Sequence, residues 1–432
     1  MSIMESNSTK PKRSSLKLLT REQTAWVILL TAFAIFVFFF FAIPFSGWWY
    51  FENASVSQVA QAQGTTGLTL LSDPNLRADA VVQIAEGEKR ADLIEGSILR
   101  TDASSQILIE FFDRSTLTIF PNSHVTLSEM RRPRFAGRSQ PERIVIVLSR
   151  GRVRAQVATN EPDVDFQIQT LQAPAPQGGI VLETGSYAIE TSNEVTHVSV
   201  RSGVAFVRGQ TGREVKLESN ERAEIQLGSA ALGPLAAKRN LLVNSDFRKL
   251  EVSEGISEGV LAEGWMVASS QGGDGGEMNG TVEVLPTSST RSVHFVRRNS
   301  EGNHGQTSVE QQVNKLVGDY LSLFLRLDVR VVDQSLSGAG RQSSEFPLIV
   351  RVDYKNQYGD PQHWTQGFYC KNPAGYNVIG GSQIPCDTRV SFERDLLKEN
   401  TLDNPLTIER IILYASGWDW EVYVSDLELI AE

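Results

Sequence analysis

Aromatic rings and side-chain amides lie close together in one stretch of the chain, between residues 357 and 380. The apolar face of a sugar ring stacks on an aromatic side chain, while the sugar hydroxyls need directed hydrogen-bond partners. A segment that offers both is a candidate sugar-binding site, and ordinary loop packing is the alternative interpretation. The candidate residues are His363, Trp364, Gln366, Tyr369, Tyr376 and Asn377.

The sequence contains few residues in patterns typical of catalysis. The five histidines are scattered, with no two at a spacing typical of metal ligands. The sequence has no Gly-x-Ser-x-Gly nucleophile motif and no glycine loop typical of phosphate binding. The glycine-rich stretch 271–280 neither follows a clear strand nor opens a helix, which indicates a flexible loop. We therefore predict a protein that is not an enzyme.

The only cysteines are Cys370 and Cys386. Their spacing does not fit a CxxC redox or metal motif. In an oxidising compartment they would pair, and a bridge closing a loop of this length adds about 3 kcal/mol on the chain-entropy model. A free, buried pair is the alternative. We predict the disulfide between Cys370 and Cys386.

An uncharged segment at residues 23–51 predicts a single membrane span. Within it, residues 25–43 are almost entirely apolar, and a helix of that length reaches roughly 28 Å, close to the ~30 Å of a bilayer core. Trp48, Trp49 and Tyr50 follow, and their amphipathic rings suit the headgroup region.

A cleaved signal peptide is the competing interpretation of this segment, because Ala60-Gln61-Ala62 has the small-x-small pattern of a cleavage site. However, the apolar run exceeds the usual length of a signal-peptide core, and the pattern lies far beyond its end. The sequence therefore favours a permanent membrane anchor.

The charges around the span predict its orientation. Residues 1–22 carry five Lys or Arg side chains against two Glu, and no basic residue follows within 25 residues of the span. The positive-inside rule then places this tail in the cytoplasm and the rest of the chain outside. Without the tail, the formal net charge of −10 becomes −13. The outer part thus has no basic excess for nucleic acid, and we predict no nucleic-acid partner.

Composition shifts divide the outer part into two domains. Residues 52–75 are short of large apolar side chains and rich in Ser, Gln, Gly and Thr, which predicts a stalk. Residues 229–238 interrupt the pattern with small side chains and a proline, which predicts a linker. The two domains are then expected at residues 76–228 and 239–432.

Both domains show the period-two alternation of β-strands, and the first has no convincing helical stripe. In the first, Ile107, Ile109 and Phe111 alternate, a turn follows at residues 113–115, and a second alternating run begins at Leu117. Short strands at about ten-residue spacing predict an all-β sandwich, roll or solenoid-like stack. The predicted fold class is mainly β, with one N-terminal transmembrane helix.

Four segments of the first domain share a turn-and-strand pattern. They are FFDRSTLTIFPNSHVTL at 111–127, LSRGRVRAQV at 148–157, TGSYAIET at 184–191 and VRSGVAFVRG at 200–209. Together they resemble the extracytoplasmic β domain of the FecR family, although Arg114 replaces its turn glycine. The resemblance implies a regulator that relays an outside signal to a sigma factor. The 22 residues before the span are too few for a stable sigma-binding core.

The second domain begins with NLLVNSDFRKLE at 240–251 and ends with WEVYVSDLELIAE at 420–432. Between them, the residues from 321 to 331 alternate strictly. These features resemble the jelly-roll superfamily of carbohydrate-binding modules and galactose-binding-like domains, which implies a glycan-binding β-sandwich. The resemblance also implies a calcium ion where the first and last strands meet, with turn formation as the alternative role of the oxygen donors. The candidate calcium ligands are Asn244, Asp246, Asp426 and Glu428.

These observations predict a non-enzymatic, single-pass protein of the cell envelope, with its N-terminus in the cytoplasm and two β domains outside. Its expected partners are the lipid bilayer and either a polysaccharide or another envelope protein. One alternative is a FecR-type transmembrane signal transducer that acts through a separate partner. The other alternative is a component of a glycan-active enzyme.

Overall fold

A computed structural model describes most of the chain. The described residues are 21–74, 81–135, 141–159, 164–176, 178–250, 254–271, 280–286, 291–399 and 401–432. The predicted cytoplasmic tail at 1–22 and the glycine-rich loop at 271–280 lie almost wholly outside the described residues. One helix and 31 strands make up the elements of the described part, so the mainly β prediction is confirmed.

The helix α1 spans Arg21–Asn53, two residues beyond the predicted segment at each end. None of its side chains is buried, and in the described part of the chain it is the one helix long and apolar enough to cross a membrane. At about 1.5 Å per residue it is roughly 50 Å long, so its ends extend beyond a bilayer core. It belongs to a compact unit that also contains residues 131–142.

The first β module consists of strands β1 to β18. Their bounds are β1 Ser55–Ser57, β2 Ala60–Thr66, β3 Thr69–Ser72, β4 Val81–Ile84, β5 Lys89–Leu93, β6 Ile98–Thr101, β7 Gln106–Glu110, β8 Thr116–Ile119, β9 His124–Pro133, β10 Glu142–Val157, β11 Val164–Gln169, β12 Gly179–Leu182, β13 Gly185–Thr191, β14 Val195–Ser202, β15 Ala205–Arg208, β16 Val215–Leu217, β17 Glu221–Gln226 and β18 Ala231–Ala236.

One long ladder joins β5, β2, β7, β8, β10, β13, β14, β17 and β18 in that order. Two shorter ladders run β4-β3-β6-β9 and β11-β12-β15-β16, and together the strands close into a barrel. The core follows the predicted alternation. Ile107 pairs with Ile119 and Ile109 with Leu117 across β7 and β8, and all four side chains are fully buried.

The segment 52–75 differs from its predicted role as a stalk. It contains β2 and β3, which pair with four other strands and bury Ala60 and Leu71. Its small residues reflect close packing, because a Cβ atom on Gly64 would lie 2.1 Å from the carbonyl oxygen of Ala85. A shortage of large side chains here marks a tightly packed strand and not an extended connection.

The second β module consists of strands β19 to β31. Their bounds are β19 Arg239–Asn240, β20 Gly259–Ala262, β21 Trp265–Ser270, β22 Thr281–Pro286, β23 Arg291–Arg297, β24 Gly305–Leu316, β25 Leu323–Gln334, β26 Leu348–Asn356, β27 Pro361–Tyr369, β28 Gly381–Gln383, β29 Val390–Asp395, β30 Pro405–Gly417 and β31 Trp420–Ala431.

Two sheets stack face to face in this module. One has the order β22-β23-β31-β25-β29, with β19 beside β31, and the other has the order β20-β21-β24-β30-β26-β27-β28. The residues between the sheets form one core that includes Trp265, Phe295, Leu325 and Leu413, each fully buried. The β-sandwich prediction is confirmed, and the alternating residues 323–331 of β25 supply one side of the core, whereas Leu321 precedes the strand and is exposed.

The predicted linker at 229–238 is mostly a strand. Within it, β18 pairs with β17 and places Ala231 opposite Ile225. Since β18 ends at Ala236 and β19 begins at Arg239, only two residues separate the last strand of one module from the first strand of the next. Residues 57–130 and 143–432, which contain most of the first module and all of the second, form one compact unit.

A disulfide ties the end of β27 to the loop after β28. The Sγ atoms of Cys370 and Cys386 are 2.18 Å apart, and their Cα atoms are 4.9 Å apart. The bridge therefore closes the same loop that carries Tyr376 and Asn377.

Candidate ligand-binding groove

The sequence-predicted sugar site is divided between two faces of one sheet. Successive side chains of a strand point to opposite faces, so His363 in β27 points away from its neighbours Trp364 and Gln366. Trp364 lies opposite the buried Val352 of β26 and packs against the core of the second module. His363 is exposed on the other face. These residues therefore do not form one binding platform.

The remaining candidates of that site have structural contacts. Tyr369 is 8% exposed and packs against Phe346, with ring centroids 6.2 Å apart. The backbone N–H of Tyr376 donates to Oδ1 of Asn372 at 3.0 Å, which closes the loop. The carbonyl oxygen of Asn377 accepts a hydrogen bond from the Ser343 hydroxyl at 3.2 Å. Their contacts explain this loop without a ligand.

Three of the four candidate calcium ligands, Asn244, Asp246 and Asp426, have protein partners. Asp246 pairs with Arg248 at 3.1 Å, and Asp426 pairs with Arg389. The Asn244 side chain bonds to the backbone of Lys249, as a turn-forming asparagine does. Among the described residues, no group of three or more His, Cys, Asp or Glu side chains is arranged to hold a metal ion.

A groove lies instead on the outer face of the sheet β22-β23-β31-β25-β29. Its volume is about 460 Å³. The lining side chains of β23, β25 and β31 alternate with core residues such as Val329 and Val424, so they point away from the sandwich interior. The residues that line it are Leu285, Pro286, Ser292, Asp328, Arg330, Asp387, Arg389, Tyr423 and Ser425.

A row of side chains crosses four strands on the same face of the sheet, and two of its members, Arg330 and Tyr423, line the groove. Glu283 of β22 is opposite His294 of β23, His294 is opposite Tyr423 of β31, and Tyr423 is opposite Arg330 of β25. The His294 Nδ1 atom lies 2.9 Å from Oε1 of Glu283, and the His294 and Tyr423 rings stack with centroids 4.2 Å apart. The Arg330 guanidinium carbon lies 5.3 Å from the Tyr423 ring centroid.

The row holds Tyr423 in place from both sides, because β23 and β25 flank β31. The faces of the ring are thereby occupied by His294 and Arg330, and its hydroxyl donates a hydrogen bond to Oε1 of Glu421 at 3.5 Å. Burial, followed by the negative charge of Glu421, raises the pKa of Tyr423. Its hydroxyl therefore stays protonated and can donate a hydrogen bond.

Two arginine–carboxylate pairs complete the groove. The Arg389 guanidinium lies 2.5 Å from Asp328, and Nε of Arg330 donates to Asp387 at 2.8 Å. Carboxylates accept hydrogen bonds and guanidiniums donate them, and both form stronger bonds than neutral groups. The groove can therefore bind a ligand that carries both donors and acceptors.

The sequence contained a usable signal for this groove. Arg330 and Asp328 stand on the polar side of the alternating β25 run, and Tyr423 and Ser425 alternate with Val422 and Val424 in β31. A polar face that carries a tyrosine and paired charges differs from an ordinary solvated face. The strand register, which sequence does not contain, was needed to bring the two runs together.

A second group of charged residues lies between the two β modules. The Arg152 side chain of β10 contacts Asp319, in the loop before β25, at 2.9 Å, and contacts Glu190 of β13 at 3.1 Å. The Arg152 and Asp319 side chains are 5% and 4% exposed. The Arg152 guanidinium carbon also lies 4.9 Å from the Tyr320 ring centroid. We call this group the inter-module ion-pair cluster.

The cluster extends through two further cations. Arg239 and Lys315 contact Glu190 at 3.2 and 3.4 Å. Burial would raise the pKa of Glu190, but Arg152, Lys315 and Arg239 outweigh it and lower the pKa to about 2. Burial would lower the pKa of Arg152, but the charge of Asp319 and its other neighbours raises it above its ordinary value. Both groups are therefore charged at neutral pH and join the modules electrostatically.

Parts of this chain are similar to a known protein family and to proteins of known structure. Residues 97–206 match the family model described as "FecR protein". No curated protein matches the chain. A crystal structure of a protein designated an anti-sigma factor, from Parabacteroides distasonis ATCC 8503, is 17% identical with a TM-score of 0.25. That match covers 32% of this chain, and this chain spans 60% of the length of that protein.

Two other solved structures are similar to parts of this chain. The Family 11 carbohydrate-binding module from Clostridium thermocellum, in complex with a β-1,3-1,4-mixed-linked tetrasaccharide, is 11% identical with a TM-score of 0.23, and the match covers 41% of this chain and 94% of that one. A cyclase from Fischerella sp. TAU is 11% identical with a TM-score of 0.28, covering 45% of this chain and 98% of that one. TM-scores this low support no inference about function.

The FecR match runs from the residue before β6 into β15, entirely within the first β module. It contains three of the four segments that carried the resemblance in the sequence, and most of the fourth. The resemblance to the FecR family is therefore confirmed for this part of the chain. The first β module contains a FecR domain, matched over residues 97–206.

Proposed function

We propose that this protein is a non-enzymatic, single-pass protein of the cell envelope that binds a glycan in the groove of its second β module. The groove carries the proposal, because carboxylate, guanidinium and hydroxyl groups converge on a volume of about 460 Å³. Each sugar hydroxyl both donates and accepts hydrogen bonds, and adjacent Asp and Arg side chains match this need. The ligand is bound through hydrogen bonds more than through ring stacking, since both faces of Tyr423 are occupied.

The rest of the chain supports display of this groove at a membrane. The length and apolar character of α1 suit a membrane anchor. The basic tail before it favours a cytoplasmic N-terminus, with the FecR domain and the sandwich outside. The two-residue connection and the inter-module ion-pair cluster hold the two modules together, so the groove is displayed on a fixed support.

The test uses the full-length protein in detergent. An array of cell-wall and storage polysaccharides identifies the ligand class, and calorimetric titration with the best-binding oligosaccharide then measures affinity. Hydrogen bonds to charged groups contribute about 1.5–3 kcal/mol, so Arg330→Gln and Asp328→Asn should each weaken binding about tenfold or more. Arg326→Gln is the matched control, because Arg326 lies in the same strand but pairs with Glu393 outside the groove.

Two results would contradict the proposal. If the protein bound no polysaccharide on the array, the proposed glycan ligand would be wrong. If both groove variants kept the wild-type affinity, the groove would not be the binding site. If His363→Ala abolished binding while the groove variants kept it, the site would lie at the sequence-predicted residues 363–377. Release of reducing sugar during the same incubation would instead favour a component of a glycan-active enzyme.

The FecR domain supports a second candidate, a transducer that passes an outside signal through α1 to a cytoplasmic partner. The observation in its favour is the family match at residues 97–206. Affinity purification of the full-length protein from its native membrane tests it, with a variant lacking residues 2–20 as the control. A sigma factor or an inner-membrane partner that co-purifies with the complete chain and not with the shortened one would support the transducer. Equal recovery with both chains would contradict it.

A further inference from the structure

Residues 131–135 pack against the C-terminal end of α1. The Phe135 ring stacks on Phe51 with centroids 4.9 Å apart and an interplanar angle of 25°. The backbone N–H of Arg134 donates to the carbonyl oxygen of Ala54 at 2.9 Å, and its Nη1 atom donates to the Tyr50 hydroxyl at 3.1 Å. A segment eighty residues later in the chain is thereby fixed beside the end of the helix, within one compact unit.

The helix sequence gives the depth of this segment in a bilayer. Trp48, Trp49, Tyr50 and Phe51 are consecutive, so they lie within about 5 Å of one another along the helix axis. All four are about half exposed, and tryptophan and tyrosine at the end of a span settle at the level of the lipid headgroups. Because Phe135 stacks on the last of them, the segment lies at that level as well.

The charge of the segment is unusual for this chain. Arg131, Arg132 and Arg134 are three of four consecutive residues, in a protein whose formal net charge is −10. Arg132 forms an ion pair with Glu142 of the same unit, and residues 131–135 contain three basic and no acidic side chains. Guanidinium groups bind phosphate oxygens through two parallel hydrogen bonds, and their planar form suits this better than an ammonium group does.

We propose that Arg131, Arg132 and Arg134 bind the phosphate groups of anionic phospholipids, with Phe135 held at the membrane surface beside the helix. The segment gives the protein a second contact with the bilayer, and this contact selects anionic lipid. The inference rests on the proposed function in taking α1 as a membrane span.

The experiment reconstitutes the full-length protein into nanodiscs of equal phosphatidylcholine and phosphatidylglycerol, and counts the retained lipids by native mass spectrometry. The variant Arg131→Gln/Arg132→Gln/Arg134→Gln should reduce the ratio of retained phosphatidylglycerol to phosphatidylcholine at least threefold relative to wild type. The triple Lys variant at the same positions keeps the charge and should retain most of the preference. A triple Gln variant of Arg208, Arg213 and Arg248, which are exposed elsewhere, is the matched control and should behave as wild type.

The outcomes separate this inference from the proposed function. Failure of the wild-type protein to enter nanodiscs refutes the membrane span, and the lipid site with it. Integration of both proteins with the same lipid ratio in wild type and in the Gln variant refutes the lipid site alone. A loss of preference in the control variant as large as in the Gln variant also refutes it, because the lipid preference would then not depend on the position of the arginines. Wild-type preference should further weaken in 1 M salt, at which the Debye length is about 3 Å.

Discussion

Replacing Asp319 with Asn should loosen the junction between the two β modules. The side chain of Asp319 is 4% exposed and holds Arg152, which is 5% exposed, at 2.9 Å. Asparagine has the same shape but no charge, so the variant removes the ion pair without creating a cavity. The carbonyl oxygen of residue 319, which accepts hydrogen bonds from Arg154 and Arg201 at 3.1 and 2.8 Å, is unaffected.

The size of the effect depends on the partners that Arg152 retains in the variant. Removing one partner of a buried ion pair costs about 3–5 kcal/mol, because the other charge stays buried without compensation. Arg152 still has Glu190 at 3.1 Å, and the asparagine Oδ1 can accept one hydrogen bond. We therefore expect the lower end, a loss of about 3 kcal/mol in the free energy of unfolding.

Urea unfolding of the full-length protein in detergent, followed by tryptophan fluorescence, measures this loss. For a slope near 3 kcal/mol/M, the midpoint should fall by about 1 M. The control is Asp333→Asn in the same module, whose partner Lys371 and own side chain are 47% and 46% exposed. Such an exposed pair contributes about 0–1 kcal/mol.

A double-mutant cycle with Arg152→Met completes the test. Once the buried cation is gone, the Asp319→Asn change should cost much less, which gives a coupling energy of about 1–3 kcal/mol. The reasoning is refuted if Asp319→Asn shifts the midpoint no more than Asp333→Asn does. It is also refuted if the two changes in the cycle are additive.

Three further predictions concern single features. The pKa of Glu190 is lowered to about 2, so the stability it contributes is complete above about pH 4.5 and is lost as the pH falls through 2. The deficit of Glu190→Gln relative to wild type should therefore be largest at neutral pH and vanish near pH 2, in unfolding curves taken across this range. Replacing Cys370 and Cys386 with Ser should cost about 3 kcal/mol, measured as a lower urea midpoint that no longer responds to reductant. Gly64→Ala should destabilise the protein by about 1–3 kcal/mol, because its Cβ would meet the Ala85 carbonyl oxygen; an unchanged midpoint would mean that β2 is not packed in the barrel.

Local patterns were sufficient for the fold class. Alternation in β7, β8 and β25 predicted which side chains are buried, because the two faces of a strand meet different surroundings wherever one face covers a core. The membrane-spanning prediction for α1 required only the length of its apolar run and the lack of charge in it. The same local patterns misread residues 52–75 and 229–238, since small side chains occur both in connections and in strands that pack closely.

The candidate site, in contrast, could not be predicted from local patterns. The sequence pointed to His363 and Trp364 because they are adjacent, yet adjacent residues of a strand point to opposite faces. The groove joins β22, β23, β25 and β31 instead, and its lining residues Ser292, Asp328 and Tyr423 are far apart in the chain. No spacing rule connects such residues, because their proximity depends on strand order and register.

By itself, the sequence determined that this chain has one apolar helix, two β modules and a FecR-like pattern, because these properties repeat over short distances along the chain. Tertiary structure alone decided the groove around Tyr423, the burial of Arg152 against Asp319, and the contact of Phe135 with Phe51. Each of these joins side chains whose separation along the chain has no fixed relation to their distance in space. The pairing and register of the strands determine their positions. The free-energy cost of burying a charge without a partner also contributes.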